Sequence, residues 1–297
     1  MADPLPDPDP EPAPRPPFAF DADTTVIPAG PGRWRGEVTD RWDIGAVPNG
    51  GYVLSVVLAG LRAALRPPHP LTVSAHYLSP CAHGPVDVEV EVLKEGRSLS
   101  TAVARLVQAG RSRLVVLATF GDLAAQRGPT LVTAAPPALP DPAACPSRMA
   151  TPTTFASPPS ISQRVEFRPS PETARAMTDR ASVAAGAGHT TGSGDHPSPR
   201  AEGWVRFADG RPLDPACLPL LCDALPPAVM TSMATGWVPT LELTVHVRAV
   251  PTDGWLRAST VTRVLVDGLL EEDCELWDGA GRLVAMSRQL ARAMPPA

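Results

Sequence analysis

Residues 238–292 read VPTLELTVHVRAVPTDGWLRASTVTRVLVDGLLEEDCELWDGAGRLVAMSRQLAR, and this stretch decides the fold prediction. Apolar and polar residues alternate along its two main runs, and glycine-rich turns separate them. Alternation with a period of two, bounded by glycine turns, is typical of antiparallel strands that bury one face. The stretch therefore predicts at least three antiparallel strands.

The same pattern occurs a second time, in the first half of the chain. Three residue pairs share one offset of 170 in the numbering: Trp34 and Trp204, His76 and His246, and Gly84 and Gly254. Later turns drift from it by one or two residues. A fixed internal period indicates a duplicated structural unit. We therefore predict two α+β halves whose antiparallel sheets join edge to edge into one continuous sheet, with one helix packed in each half.

Each half contains one candidate helix. Residues 47–65 read VPNGGYVLSVVLAGLRAAL, which starts with an asparagine and two glycines and is followed by two prolines. This helix is apolar on nearly every side, so it must be buried. Its counterpart is predicted at residues 214–233. Four strands should follow the first helix, at residues 71–78, 86–94, 98–108 and 113–120.

Proline marks the boundaries of the folded parts, because it is excluded from helix interiors and central strands. The chain of 297 residues contains 38 prolines. We predict a disordered proline-rich tail at residues 1–17 and an N-terminal module at residues 18–122. A Pro/Ala-rich linker is predicted at residues 123–159, and a C-terminal module at residues 160–297. The C-terminal module should carry a flexible loop at residues 171–200, where the sequence is low in complexity.

Composition excludes several classes of function. The net charge is −5 and no Lys/Arg cluster occurs, which argues against nucleic-acid binding. No apolar run is long enough for a transmembrane helix. The acidic N-terminus is not a secretory signal, and the five cysteines form no CxxC pair, so a cytoplasmic location is predicted. His69, His76 and His83 lie seven residues apart, which does not build a metal site. No nucleophile elbow, dinucleotide motif or P-loop occurs, and we predict neither metal nor cofactor.

Three polar residues of the second half are candidates for a shared site. Shifted by the same offset, Asp223, Thr240 and Gln289 fall on Val53, Pro70 and Thr119 (or Phe120 with one residue of drift). The scaffold is thus repeated while the polar trio largely is not, which predicts one polar site per chain. The alternatives are a helix-capping or surface role for Asp223, an ordinary strand start for Thr240 and a solvated Gln289. The acidic run 271–273 is interpreted as a charged turn or strand face.

The sequence resembles the double-hotdog acyl-CoA thioesterases, the acyl-CoA thioesterase II-like family. The likeness covers residues 18–293 outside the linker and loop. It rests on the NGGY helix start and the GP-V-V-V-L-GRS run in the first half, and on LCDA, VPTLELTVH, ELWDGAGRLVA and SRQLA in the second. The resemblance implies two tandem hotdog modules, each a long helix wrapped by an antiparallel sheet. It also implies hydrolysis of coenzyme A thioesters by a water that Asp223, Thr240 and Gln289 hold.

These residue types suit that chemistry. Thiolate is a good leaving group, so a positioned water can attack a thioester without an activated serine. An aspartate in an apolar helix should have a raised pKa and be a better base. A Gln amide and a Thr hydroxyl can orient the water. The glycine-rich helix start offers N–H donors for the oxyanion, with Gly50, Gly51 and Tyr52 as candidates. The alternative for these three is a plain helix start.

The resulting prediction is a cytoplasmic acyl-CoA thioesterase of lipid metabolism that forms a homo-oligomer. One alternative is a hotdog enzyme that acts on a pathway-specific or carrier-bound acyl thioester. A second alternative, from a different class, is a catalytically silent protein that binds acyl groups.

Overall fold

A computed structural model describes residues 18–147, 159–179 and 198–295. The helices are α1 (Ala19–Asp23), α2 (Gly50–Ala64), α3 (Pro171–Asp179) and α4 (Leu218–Asp223). The strands are β1 (Ile27–Gly30), β2 (Arg33–Val38), β3 (Asp43–Ile44), β4 (Val47–Pro48), β5 (His69–Tyr77), β6 (Gly84–Glu95), β7 (Leu99–Gln108), β8 (Arg111–Gly121), β9 (Val165–Pro169), β10 (Arg200–Phe207), β11 (Thr240–Val247), β12 (Leu256–Val261), β13 (Leu265–Val266), β14 (Leu269–Trp277) and β15 (Leu283–Arg292). The predicted tail at residues 1–17 lies outside the described residues.

The described strands form one 13-stranded antiparallel sheet, apart from the small β3–β4 pair. Its order is β1-β2-β6-β7-β8-β5 in the first half and β11-β15-β14-β12-β10-β9 in the second, with β13 paired to β14. The two halves join where β5 pairs with β11, and Ser74 lies opposite Thr244. These two residues are 170 positions apart in the sequence, so they are counterparts in the repeat. A local two-fold axis between the two halves places counterparts opposite each other in this way. The predicted edge-to-edge duplication is confirmed.

Helix α2 is the buried helix of the first half. The side chain of Asn49 accepts a hydrogen bond from the amide of Tyr52 at 2.9 Å and so caps the helix start. Leu54 and Leu61 are fully buried, and the helix ends ahead of two prolines. The sheet curves around this apolar helix, which explains why polar residues are nearly absent from it.

Helix α4 corrects the prediction of a long second helix at residues 214–233. It spans Leu218–Asp223 alone, and a 3-10 turn at Ala228–Thr231 follows. Pro226 and Pro227 stop the helix, because proline lacks the N–H of a helical bond and clashes with the preceding turn. Asp223 therefore stands at the last position of a short helix and not in the middle of a long one.

The predicted flexible loop at residues 171–200 also needs correction. Its first part, Pro171–Asp179, forms α3, and the Ser170 hydroxyl accepts the amide of Thr173 at 3.1 Å as an N-cap. The residues after α3 are low in sequence complexity, and the predicted loop was extended over this cap and helix as well. Residues 180–197 lie outside the described part. Among the described residues, no helix is long and apolar enough to cross a membrane.

Helices α2 and α4 pack closely together at Gly51. A Cβ added to Gly51 would lie 2.8 Å from the Cβ of Asp223 and 3.0 Å from the Cα of Leu220. We expect Gly51→Ala to force the helices apart and to lower the free energy of unfolding by about 1–3 kcal/mol. Urea unfolding would measure this. Gly279→Ala is the matched control, because its Cβ would meet only the Thr252 hydroxyl at 3.7 Å. Equal stability of the two variants would contradict the close packing.

Candidate functional site

A cavity of about 270 Å³ lies between the two halves of the chain. Its walls come from the start of α2, the C-terminal ends of α4 and β5, and the start of β11. Most of the lining is apolar. The polar lining includes three residues that the sequence singled out as catalytic and one of the three candidate donors: Asp223, Thr240, Gln289 and Gly50. The structure thus brings residues that lie far apart in the chain into one cavity.

Asp223 lies against the N-terminus of α2. Its Oδ2 atom accepts hydrogen bonds from the side-chain amide of Asn49 at 2.8 Å and from the backbone amide of Gly51 at 2.6 Å. The positive end of the α2 dipole and these two donors hold one oxygen of the carboxylate. The aspartate therefore belongs to a helix-to-helix contact and not to the protein surface.

The carboxyl group of Asp223 has an altered pKa. Removal from water raises its pKa from 3.8 to about 6, after the hydrogen bonds from Gly51 and Asn49 and the nearby Thr240 hydroxyl have offset part of the rise. A carboxylate with a pKa near 6 is ionised at neutral pH and is a stronger base than an ordinary aspartate. The rise agrees with the one expected from the apolar sequence around it.

Thr240 reaches the cavity through a β-bulge. In an unbroken β11 it would share a face with Glu242 and Thr244, away from the core. The register shifts between Thr240 and Glu242, so that Thr240 lies opposite the buried Ala291. A bulge inserts one residue and re-aims the side chains beyond it. The first half has the same irregularity between Pro70 and Thr72, and the bulge is thus part of the repeated scaffold.

Gln289 links Thr240 to Glu272. The Thr240 hydroxyl donates to Oε1 of Gln289 at 2.9 Å, and Nε2 of Gln289 donates to Oε1 of Glu272 at 3.0 Å. Glu272 also accepts the backbone amide of Ala228 through its Oε2 atom. Gln289 is therefore partly buried in a hydrogen-bonded chain and is not a solvated edge residue.

The interpretation of Glu272 as part of a charged turn or strand face is wrong. Its side chain is only 4% exposed, and burial raises its pKa from 4.5 to about 7. The amide of Ala228 and Gln289 lower that pKa, while the Asp223 carboxylate raises it further. A second buried carboxylate thus stands behind the predicted trio.

Two of the three predicted oxyanion donors already have acceptors. The Gly51 amide donates to Asp223, and the Tyr52 amide donates to Asn49. The Tyr52 side chain is fully buried and stacks on Trp42, with the ring centroids 5.4 Å apart. Tyr52 is therefore a core and capping residue. Gly50 remains as the donor candidate that lines the cavity.

Tyr77 is a cavity residue outside the set predicted from the sequence. Its hydroxyl is shielded from solvent and has no hydrogen-bond partner among the described residues. It lies over the start of α2, where a Cβ on Gly50 would be 3.2 Å from the hydroxyl oxygen. Burial, and next the Asp223 carboxylate, raise its pKa well above 10, so that the phenol is neutral. An unpaired donor on a residue that lines a cavity is a candidate for contact with a ligand.

The first half has no equivalent of this polar network among its described residues. Leu243 pairs with Gln289 in the second half and its counterpart Val73 pairs with Ala118, so Ala118 is the structural counterpart of Gln289. The sequence offset alone indicates Thr119 or Phe120, one or two residues away. By the same registers, Ala102 is the counterpart of Glu272. The described part of the chain therefore holds one such network.

Comparisons with known proteins agree with this fold. Residues 38–121 match the model of the acyl-CoA thioesterase N-terminal domain, and residues 136–293 match that of the C-terminal domain. A crystal structure of a candidate thioesterase II from Thermobifida fusca YX is 32% identical, with a TM-score of 0.80 over 94% of this chain and 99% of that one. A hot dog fold protein of unknown function from Alicyclobacillus acidocaldarius is 21% identical, with a TM-score of 0.77 over 94% and 99%.

A sequence relative comes from Mycobacterium tuberculosis (strain ATCC 25618 / H37Rv). This uncharacterized protein is 28% identical over 279 residues, which cover 87% of this chain and 90% of the relative. Together, the two domain models cover most of the sequence. The N-terminal domain model matches the first half of the duplicated sheet, and the C-terminal domain model matches the second half. The chain therefore belongs to the acyl-CoA thioesterase family and has its double-hotdog fold.

Proposed function

We propose that the protein hydrolyses an acyl-CoA thioester with a water molecule that Asp223 activates. The observation that carries this proposal is the position of Asp223. It is a carboxylate with a pKa of about 6 in a largely apolar cavity, and it shares that cavity with the hydrogen-bonded Thr240–Gln289 pair. Membership of the thioesterase family supports the choice of substrate.

The chemistry needs one base and a group that orients the water. The second oxygen of Asp223 takes a proton from water, whose oxygen then forms a bond to the thioester carbonyl carbon. The oxygen of Thr240 accepts a hydrogen bond from the same water and fixes its direction. When the tetrahedral intermediate collapses, the carbon–sulfur bond breaks. The thiolate leaves and takes up the proton, so that the products are a carboxylic acid and a thiol.

The negative oxygen of the intermediate needs neutral donors. The start of α2 supplies the Gly50 amide, and the Tyr77 hydroxyl lies beside it. A neutral phenol and a helix N-terminus both stabilise a developing oxyanion more strongly than the ground-state carbonyl. Apolar side chains around them receive the acyl group, among them Val53, Leu114 and Leu225.

The proposal is tested by measuring thiol release from a series of acyl-CoA esters with short, medium, long and aromatic acyl groups. Release above the uncatalysed rate from at least one ester is the expected result. Binding of the esters without thiol release from any of them would overturn the proposal and favour the silent acyl-binding alternative. Release from a carrier-protein thioester but from no CoA ester would move the proposal to the carrier-bound substrate.

The pH dependence of kcat/KM follows from the pKa of Asp223. The base acts in its ionised form, and its pKa in the folded protein is about 6. We expect kcat/KM to fall about tenfold for each pH unit below about pH 6 and to be level above about pH 8. An N-acetylcysteamine thioester is the suitable substrate, because it carries no phosphate that titrates in this range. An acidic limb at the ordinary aspartate pKa, near 4, would contradict the role of Asp223.

A further inference from the structure

Glu272 is a buried carboxylate that the proposed mechanism does not use. It lies on β14, faces the core between Leu270 and Cys274, and accepts two hydrogen bonds, from Gln289 and from the Ala228 amide. In its ionised form, which predominates above its pKa of about 7, this carboxylate accepts hydrogen bonds and donates none. Glu272 therefore dictates which end of the Gln289 amide can face it.

The orientation of Gln289 follows from that contact. Its NH2 group must point to Glu272, so its carbonyl oxygen must point to Thr240. The distances fit this arrangement, since Nε2 lies 3.0 Å from Glu272 and Oε1 lies 2.9 Å from the Thr240 hydroxyl. A side-chain amide without such a partner can flip over and exchange its two ends.

Thr240 has a single hydroxyl proton and two acceptors compete for it. One acceptor is Oε1 of Gln289 at 2.9 Å. The other is the carboxylate of Asp223, which lines the same cavity and whose pKa a hydrogen bond from Thr240 would lower. A carboxylate that accepts this proton is a weaker base. The direction in which Thr240 donates therefore decides how basic Asp223 is.

We propose that Glu272 is a positioning residue that fixes the Gln289 amide, so that Thr240 donates to Gln289 and leaves Asp223 free to take a proton from water. This inference rests on the proposed thioesterase function, whose base is Asp223. Glu272 touches neither water nor substrate in this scheme. It acts through Gln289 and Thr240, and its second contact with Ala228 ties the same carboxylate to the turn after α4.

Few other charged or titratable groups act on these two carboxyls. The groups that act on Asp223 are Asn49 and the Gly51 amide from α2, Tyr77 from β5, Thr240 from β11 and, through its charge, Glu272 from β14. The groups that act on Glu272 are Gln289, the Ala228 amide, Asp223, Glu271 and Cys274. Arg113 also lines the cavity, but its guanidinium group donates to the Ser79 hydroxyl at 3.0 Å, and none of the groups named for Asp223 is a cation.

The isosteric variant Glu272→Gln inverts the arrangement. Its oxygen must accept the Ala228 amide, because two N–H donors cannot face each other, and its NH2 group then faces Gln289. Gln289 turns its oxygen to residue 272 and its NH2 group to Thr240. The Thr240 hydroxyl, now an acceptor from Gln289, donates to Asp223.

We expect Glu272→Gln to lower the pKa of Asp223 by about one unit and kcat by about tenfold, because a hydrogen bond to a charged group has a free energy of that order. The pKa is read from the carbon-13 NMR titration of the Asp223 carboxyl, and kcat from thiol release. Glu275→Gln is the matched control. Glu275 lies on the same strand but bonds to Trp277 at 3.2 Å, and both quantities should be unchanged.

A double-mutant cycle with Thr240→Val separates positioning from simple loss of charge. Without the Thr240 hydroxyl, Glu272→Gln should no longer lower the pKa of Asp223. A shift of equal size in both backgrounds would mean a direct charge effect and would overturn the proposal, as would an unchanged pKa in Glu272→Gln alone. The NMR readout needs no turnover. If the wild type releases no thiol, the proposed function fails, while the inference about Glu272 is still decided by the titration.

Discussion

Asp223→Asn is expected to lower kcat/KM for thiol release by about 10³-fold, because a general base contributes on the order of 10² to 10⁴. The variant keeps the shape of the site. Its amide oxygen can still accept the Asn49 and Gly51 donors that Oδ2 accepts in the wild type, while its NH2 group replaces the oxygen that faces the cavity. An amide has no basic oxygen at neutral pH, so the proton of the water has no acceptor.

The same substitution should not destabilise the fold. The folded pKa of Asp223, about 6, is above its unfolded value of 3.8, so the folded state binds the proton more tightly. The Asp223 carboxyl group therefore adds to the free energy of unfolding at low pH, and this contribution is lost as the pH rises through about 6. At pH 7 the ionised carboxylate therefore opposes folding, and we expect Asp223→Asn to raise the free energy of unfolding by about 1 kcal/mol, after allowance for partial exposure.

Two measurements on the same variants check this prediction. Thiol release gives the rate, and urea unfolding at pH 5 and pH 7 gives the stability. Asp87→Asn is the control, because Asp87 pairs with Arg35 on the surface at 3.4 Å, and its kcat/KM should be within about twofold of the wild type. An Asp223→Asn variant with kcat/KM within tenfold of the wild type would exclude this residue as the base.

The repeat made the fold predictable, and it also set the limit of the prediction. Alternating residues and the constant offset between the two halves were enough to infer a duplicated sheet joined edge to edge, but not that β5 and β11 form the junction. The length of α4 was overestimated, because the apolar run continues past Pro226 and Pro227 although the helix cannot. Apolar content alone did not distinguish a helix from a helix followed by a 3-10 turn.

The candidate site was predictable in part. A signal for Glu272 was present: residues 270, 272, 274 and 276 share one face of β14, and the other three are Leu, Cys and Leu. Thr240 is the opposite case. Alternation places it on the outer face with Glu242, and only the bulge turns it inward, which no residue of the sequence indicates. The Tyr77 hydroxyl lacks a partner because of the packing of several elements around it, and the sequence does not predict this either.

The chain contains two tyrosines, and their hydroxyl groups have opposite surroundings. Tyr77 has no hydrogen-bond partner among the described residues and lines the cavity. The hydroxyl of Tyr52 accepts the Thr39 amide at 3.1 Å and lies 3.1 Å from the carbonyl oxygen of Asp23, within the core. This contrast gives a test of the proposed oxyanion donor with a control of the same chemistry.

Tyr77→Phe is expected to lower kcat by about 10²-fold, because it removes one donor from the developing oxyanion while the walls of the cavity stay the same. It should also raise the free energy of unfolding by about 1 kcal/mol, since an unpaired buried hydroxyl opposes folding. Tyr52→Phe should instead lower the free energy of unfolding and leave kcat within about twofold of the wild type. Steady-state kinetics and urea unfolding of both variants measure these effects. If Tyr77→Phe keeps the wild-type kcat, the hydroxyl contributes nothing to the transition state, and Gly50 and the dipole of α2 must hold the oxyanion without it.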